Sequence, residues 1–178
     1  PPSAQMFLRD PKVDTAVLET ARGGLLRSVL GYSSCDGGCV LNIASDHLGL
    51  KGIDTLEQLA EIKRIIVEVA RDCAVLNADD INCLKMAAHT DAERIAYFTM
   101  DPTNPLVRQH IEAGGLAIVL EQGIKGQMIT LYDDGLDLHL LWTHLIPATM
   151  EGKALHNVQN ALAAALTAYA MGTKVDNI

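Results

Sequence analysis

The sequence predicts an α/β domain, a mostly parallel sheet flanked by helices, with a small antiparallel section near residues 126–149. Three observations favour this fold class. Short apolar runs alternate with helical patterns, as they do in βαβ units. Several of these runs end in polar residues, which is typical of strands that lead into a ligand site. From residue 126 onward, polar and apolar residues alternate around an Asp-Asp-Gly turn, and this pattern predicts antiparallel strands.

Each predicted element follows from its local pattern. Strands are predicted at 13–21, 39–44, 73–80, 94–100 and 116–122. Residues 54–72 form an amphipathic helix in this scheme, because apolar residues recur at spacings of three and four, and Asp54 or Thr55 suits its N-cap. A shorter helix over 104–115 ends in glycines, and an Ala-rich helix occupies 154–172.

Composition and charge argue against several classes of protein. The 178 residues carry a net charge of −8, whereas a broad nucleic-acid-binding face needs clustered Lys and Arg. No apolar run approaches the roughly 18–20 residues that span a bilayer, and the N-terminus lacks the features of a signal peptide. The four cysteines include no CxxC pair, which disfavours zinc sites and disulfide frameworks. We therefore expect a cytoplasmic protein without nucleic-acid or membrane partners.

Polar residues follow three of the predicted strands. Glu19 ends the first, Asn42 opens a stretch that reaches Asp46 and His47, and residues 77–80 close the third. Because the carboxyl ends of parallel strands share one edge, we expect these residues to collect at one site. Glu19 could hold Mg²⁺ there, or its Gly-rich loop could carry only a solvated ion pair. Asp46 and His47 could bind metal, act as an acid–base pair, or form a capped turn.

Two predicted helices carry further candidates. Lys63 lies near the apolar face of the 54–72 helix, where it is either a surface lysine or a partly buried one that needs a partner. His156, Asn157 and Asn160 open the Ala-rich helix. The two asparagines share a face and could read a purine edge, or Asn157 could cap the helix. The motifs GxxxxGK[ST], GxGxxG and GxSxG do not occur.

In this order, the segments resemble the Mur ligase family of ATP-dependent amide ligases. The segments that carry the resemblance are LETARGGLLR, NIASDHLGL, AEIKRII, LNADD and HNVQNALAAA. The runs ETARGGLLR, LNIASDHLGLKGIDTLEQLAEIKR and FTMDPTNPLVRQHIEAGG are similar, more narrowly, to members that attach arginine to the side chains of an aspartate polymer. The resemblance covers essentially the whole chain. It implies that residues 1–178 are an incomplete central, ATP-binding domain, without the upstream P-loop and the C-terminal domain.

The resemblance also implies a chemistry and a set of site residues. ATP and Mg²⁺ would convert a carboxylate into an acyl phosphate, which the amine of arginine then attacks. Glu19 and His47 would hold the metal. Asp46 and Lys63 would be catalytic, Asp46 beside His47 and Lys63 as a carbamate. The residues expected to contact the nucleotide are Arg22, Asn42, His156, Asn157 and Asn160.

Two alternatives stay open at this point. The chain could belong to another ligase of the family, acting on peptidoglycan precursors or folylpolyglutamate. It could instead be a nucleotide-binding or scaffold domain without catalysis. Because the resemblance leaves the P-loop outside this sequence, we expect the 178 residues alone not to ligate, and we expect the full-length protein to be a homo-oligomer.

Overall fold

A six-stranded sheet forms the centre of the computed structural model, which describes residues 2–20, 30–44 and 54–178. The strands lie side by side in chain order: β1 (Cys35–Val40), β2 (Ala70–Asn77), β3 (Arg94–Thr99), β4 (Ala117–Gly123), β5 (Gly126–Asp133) and β6 (Leu136–Trp142). The first four are parallel, whereas β5 is antiparallel to both of its neighbours. The predicted fold class, including its antiparallel section, is therefore confirmed.

Helices precede, connect and follow these strands. The α-helices among the described residues are α1 (Pro2–Leu8), α2 (Leu56–Glu68), α3 (Ile81–Lys85), α4 (Pro105–Glu112) and α5 (Leu155–Ala170). Short 3-10 helices lie at Met86–His89, Thr143–Leu145, Pro147–Thr149 and Val175–Asn177. In the part of the chain that the structure describes, no helix has both the length and the apolar character needed to cross a membrane.

Two apolar layers hold the helices on opposite faces of the sheet. On one face, Leu59 and Val67 of α2 pack with Cys83 of α3 and Val107 of α4. On the other face, α5 contributes its own buried row: Val158, Leu162, Ala163 and Leu166. The parallel strands β2, β3 and β4 are thereby covered on both sides, in keeping with the buried runs that each of them contains.

Local sequence explains where the helices begin. Thr55 caps α2: its hydroxyl accepts from the Gln58 amide at 3.2 Å, and the Gln58 side chain accepts from the Thr55 amide at 3.2 Å. This reciprocal pair is a capping box, and it confirms one of the two predicted N-caps. Asn104 caps α4 through a single side-chain contact, in which its oxygen accepts from the Val107 amide at 3.2 Å, and Pro105 occupies the first helical position.

Four predicted elements differ clearly from the structure. The strand predicted at 73–80 is β2, which runs from Ala70 to Asn77, because Asp80 already caps the next helix. Residues 13–20 form no strand: Val17 is 94% exposed, and no described strand pairs with the segment. Helix α2 ends at Glu68 rather than residue 72, because the chain from Ala70 pairs with β1 instead. Strand β1 begins four residues earlier than predicted, since pairing with β2 overrides the low strand propensity of its glycines.

Candidate functional site

The chain leaving β1 meets the chain leaving β2 at the carboxyl edge of the sheet. The Asn77 side-chain amide donates to the Leu41 carbonyl at 2.7 Å, and the Ile43 amide donates to an Asp80 carboxylate oxygen at 2.7 Å. The polar residues after these two strands therefore do collect at one edge, as the strand-end pattern predicts.

A groove of about 1500 Å³ runs beside β1. Its walls are segment 13–20, which has no regular secondary structure, the residues of β1 and the last turn of α5. Glu19, Asn42 and Lys63 all line this groove. Although segment 13–20 is not a strand, it still brings Glu19 to the same groove as the other two residues. We call this the β1 groove.

Lys63 contacts Asn42 through the backbone. The Lys63 ammonium donates to the Asn42 carbonyl oxygen at 3.1 Å, across 21 positions of sequence. Lys63 is partly buried, and the carbonyl is the partner that a lysine near an apolar face requires. The Asn42 side chain is not used in this contact. Carbamylation of Lys63 stays a prediction.

The start of α5 lies at the same edge of the sheet as Asn42 but outside the β1 groove. Strand β6 is parallel to β4, so the turns at 143–149 follow it at the carboxyl edge. Asn157 donates to the Ala148 carbonyl at 2.6 Å, which attaches the first turn of α5 to these turns. His156 and Asn160 are exposed. The first α5 residue that lines the β1 groove is Thr167. It follows Asn157 by ten positions, which corresponds to about 15 Å along the helix axis.

Asn157 therefore has a structural partner of its own. It does not cap α5, whose N-cap is Ala154 without any side-chain hydrogen bond. Those predicted site residues that the structure describes thus fall into two groups, one in the β1 groove and one at the start of α5.

Three predicted site residues, Arg22, Asp46 and His47, lie outside the described residues. Of the predicted metal pair, only Glu19 is described, and it is exposed. Over residues 2–20, 30–44 and 54–178, no three His, Cys, Asp or Glu side chains come together as a set that could hold a metal ion.

The sequence singled out the NADD stretch only as a motif, yet its side chains connect the strand ends. Asp79 accepts from the Thr99 hydroxyl and, at 2.7 Å, from the Met100 amide, so it joins the ends of β2 and β3. Asp80 caps α3 by accepting from Asn82 and Cys83 amides. Their signal in the sequence was the cluster of an amide and two carboxylates directly after an apolar run.

Comparisons with known proteins agree with this architecture. The family model described as "Mur ligase middle domain" matches residues 2–168. The cyanophycin synthetase of Synechocystis sp. is 47% identical over 180 residues, covering 100% of this chain and 20% of the relative. That of Trichormus variabilis is 47% identical over 190 residues, covering 100% of this chain and 19% of the relative.

A more distant relative has a different name. The UDP-N-acetylmuramoylalanine–D-glutamate ligase of Elusimicrobium minutum is 27% identical over 179 residues, covering 99% of this chain and 34% of that enzyme. The chain spans about a fifth of the length of the cyanophycin synthetases that it matches. The family match takes in all of the described strands and all but the last two residues of α5. The chain belongs to the Mur ligase middle domain family.

Proposed function

We propose that this chain is the ATP-binding middle region of an amide ligase of the cyanophycin synthetase type. The observation that carries the proposal is the 47% identity to a cyanophycin synthetase over the full chain, against 27% to a peptidoglycan-precursor ligase. The difference favours the cyanophycin branch over the other ligases of the family. The middle region would act together with segments of a longer protein that supply the P-loop and further substrate contacts.

The proposed reaction joins arginine to an aspartate side chain of cyanophycin, the aspartate–arginine polymer. A carboxylate oxygen forms a bond to the γ-phosphorus of ATP, and the bond to the β,γ-bridging oxygen breaks, releasing ADP. The arginine amine then attacks the acyl carbon, loses a proton, and phosphate leaves. Positioning and charge neutralisation dominate the catalysis of such transfers, so few side chains need to take part covalently.

The β1 groove supplies residues suited to the phosphate end of ATP. Glu19 presents an exposed carboxylate there, and hard cations such as Mg²⁺ take oxygen ligands of this kind. When bound, Mg²⁺ would neutralise charge on the phosphate oxygens, with Glu19 and His47 as the residues that hold it. Asn42 is exposed in the same groove and would orient the nucleotide. Asp46 and Lys63 keep their proposed catalytic roles, with Arg22 as a nucleotide contact.

The start of α5 supplies amides suited to the adenine end. Asn160 and His156 are exposed and available to a base, whereas one Asn157 donor is occupied by Ala148. The Asn157 carbonyl oxygen can still accept a hydrogen bond from an exocyclic amine. We therefore assign base contact mainly to Asn160 and His156, and a smaller part to Asn157.

The experiment that tests the function uses the full-length protein with an aspartate-polymer primer, arginine and Mg-ATP. Glu19→Gln keeps the side-chain size and removes the charge. We expect arginine addition to fall on the order of 100-fold, the scale on which metal sites respond to lost ligands and supports, while aspartate addition is retained. Glu112→Gln, at an exposed position that ends α4, is the matched control and should behave like wild type.

Two results would contradict the proposal. Unchanged arginine addition by Glu19→Gln would favour a scaffold role, most clearly if the full-length protein also fails to bind Mg-ATP. Turnover of a muramoyl nucleotide with an amino acid, in place of the aspartate primer with arginine, would favour another ligase of the family.

A further inference from the structure

The two backbone positions that flank Asn42 are held by side chains from the end of β2. Asn77 donates to the Leu41 carbonyl at 2.7 Å, and Asp80 accepts from the Ile43 amide at 2.7 Å. Asn77 is itself buried, and its side-chain oxygen accepts from the Asp79 amide at 2.9 Å. Both contacts therefore come from side chains whose other atoms are already engaged.

A third side chain holds the position between them. Lys63, from α2, donates to the Asn42 carbonyl at 3.1 Å. Three consecutive residues thus each make one backbone hydrogen bond with a different side chain: the Leu41 and Asn42 carbonyls accept, and the Ile43 amide donates. We call Asn77, Asp80 and Lys63 the clamp residues.

The clamp begins where the sheet ends. The last β1–β2 pair is Val40 with Leu76, so the groups of residues 41–43 have no further ladder partners on β2. A backbone donor or acceptor that is shielded from water costs free energy if unpaired, and Asp80 gives the amide of the buried Ile43 its partner. Ile43 is buried in the core, whereas Asn42 is exposed in the β1 groove. Fixing this backbone therefore fixes where Asn42 stands.

Asp80 is the most constrained of the three. One carboxylate oxygen accepts from the Asn82 and Cys83 amides at 2.8 and 3.3 Å and so caps α3. The other oxygen accepts from Ile43. Helix α3 is anchored by Cys83, which is fully buried. The Asp80 carboxylate is thus a rigid link between a core helix and the chain that leaves β1.

Lys63, for which a catalytic role is proposed above, adds the third backbone contact in its ammonium form. We propose that Asp80 and Asn77 are positioning residues for nucleotide binding. They set the backbone of residues 41–43 and thereby hold Asn42 in the β1 groove. Asp80 and Asn77 touch no substrate themselves and act through Asn42. The inference rests on the proposed function for its effect on ATP, whereas the clamp is a property of the chain alone.

The test uses Asp80→Ser in the full-length protein. Serine is as good an N-cap as aspartate, so α3 keeps its cap, but one short hydroxyl cannot also reach Ile43. Hydrogen exchange, followed by mass spectrometry of a peptide spanning 41–44, should be at least about 10-fold faster at Ile43, because its amide loses a hydrogen bond. The KM for Mg-ATP in arginine addition should rise about 10-fold, as when supporting contacts of a site are lost, with aspartate addition unchanged.

Thr90→Ala is the matched control. The Thr90 hydroxyl donates to the Val67 carbonyl at 2.6 Å, at the other end of α2, so its loss removes a comparable hydrogen bond away from the clamp. It should lower the melting temperature without changing exchange at 41–44 or the KM for Mg-ATP. This separates positioning from a general loss of stability.

Exchange and kinetics distinguish the possible failures. Unchanged exchange at Ile43 in Asp80→Ser would overturn the clamp whatever the protein's activity. Faster exchange with an unchanged KM for Mg-ATP would overturn the positioning role. If the proposed function itself is wrong, Glu19→Gln shows no effect while the exchange measurement still decides the clamp. Should Asp80→Ser not fold, Asn77→Asp replaces the donor facing Leu41 by an acceptor at constant size and is judged by the same readouts.

Discussion

Strand β1 approaches helix α2 closely at Gly38, and a single methyl group there should be strongly destabilising. A Cβ at Gly38 would lie 2.3 Å from the Ile66 carbonyl oxygen, 3.1 Å from its carbonyl carbon and 3.2 Å from the Ala70 Cβ. Gly38 does not have a positive φ, so alanine fits the backbone and the cost is steric. Close carbon–oxygen contacts are about 3.3 Å. The strand and the helix would therefore have to separate by about 1 Å to relieve the 2.3 Å contact.

The loss of stability expected for Gly38→Ala depends on how far the backbone of α2 must shift. Overpacking a core costs about 1–3 kcal/mol, and here the obstacle is helix backbone that also carries the fully buried Leu59 and Val67. We expect a loss of about 3 kcal/mol in the free energy of unfolding, less about 0.5 kcal/mol for the stiffer unfolded chain. For a chain of this size that lowers the melting temperature by about 5–10 °C.

Urea unfolding of the chain, followed by circular dichroism, measures this loss. With a slope of about 2 kcal/mol per molar urea, the midpoint should fall by more than about 1 M. Gly37→Ala is the control in the same strand: its Cβ would meet the Met171 Sδ at 2.8 Å and Cε at 2.9 Å, the flexible end of a side chain that can rotate away. It should cost less than about 1 kcal/mol. Equal midpoints for Gly38→Ala and wild type, or a larger loss in Gly37→Ala, would refute the reasoning.

Two further predictions concern titratable groups. Burial lowers the pKa of His110 below 6.5. As the pH falls, the unfolded chain therefore takes up a proton at this histidine before the folded chain does. The free energy of unfolding should keep its full value above about pH 6.5 and decrease as the pH drops below it. The measurement is the urea midpoint as a function of pH. The decrease of the midpoint below about pH 6.5 should be lost in His110→Gln and kept in His89→Gln, a change at an exposed histidine. An unaltered decrease in His110→Gln would contradict the assignment of this pH dependence to His110. Burial raises the pKa of Cys73 to about 11 and of Cys83 to about 12, so at pH 8 an alkylating reagent should modify the partly exposed Cys35 first and these two only on unfolding. Mass spectrometry of the alkylated peptides checks this, and native-state labelling of Cys83 at the rate of Cys35 would be the contrary result.

Local sequence patterns were sufficient to predict several of the strands and helices. The alternation after residue 126 predicted β5 and β6, and the capping sequence around Thr55 placed the start of α2. Such signals lie within a few neighbouring residues, so the sequence displays them directly. The segments that failed depend on distant partners. Residues 13–20 have strand-like composition, but no strand in the described part of the chain pairs with them. Strand β1 includes two glycines that only pairing with β2 makes extended.

For the candidate site too, some features follow from the local sequence and others depend on distant partners. The sequence by itself determined which residue types stand at the strand ends: a carboxylate at Glu19, an amide at Asn42 and the NADD cluster after β2. Only the tertiary structure decided what these groups contact, because each contact joins residues far apart in the chain. Lys63 reaches Asn42 across 21 positions, and Asp80 reaches Ile43 across 37. No local spacing contains such a contact, since it arises only when helix and strands pack against one another.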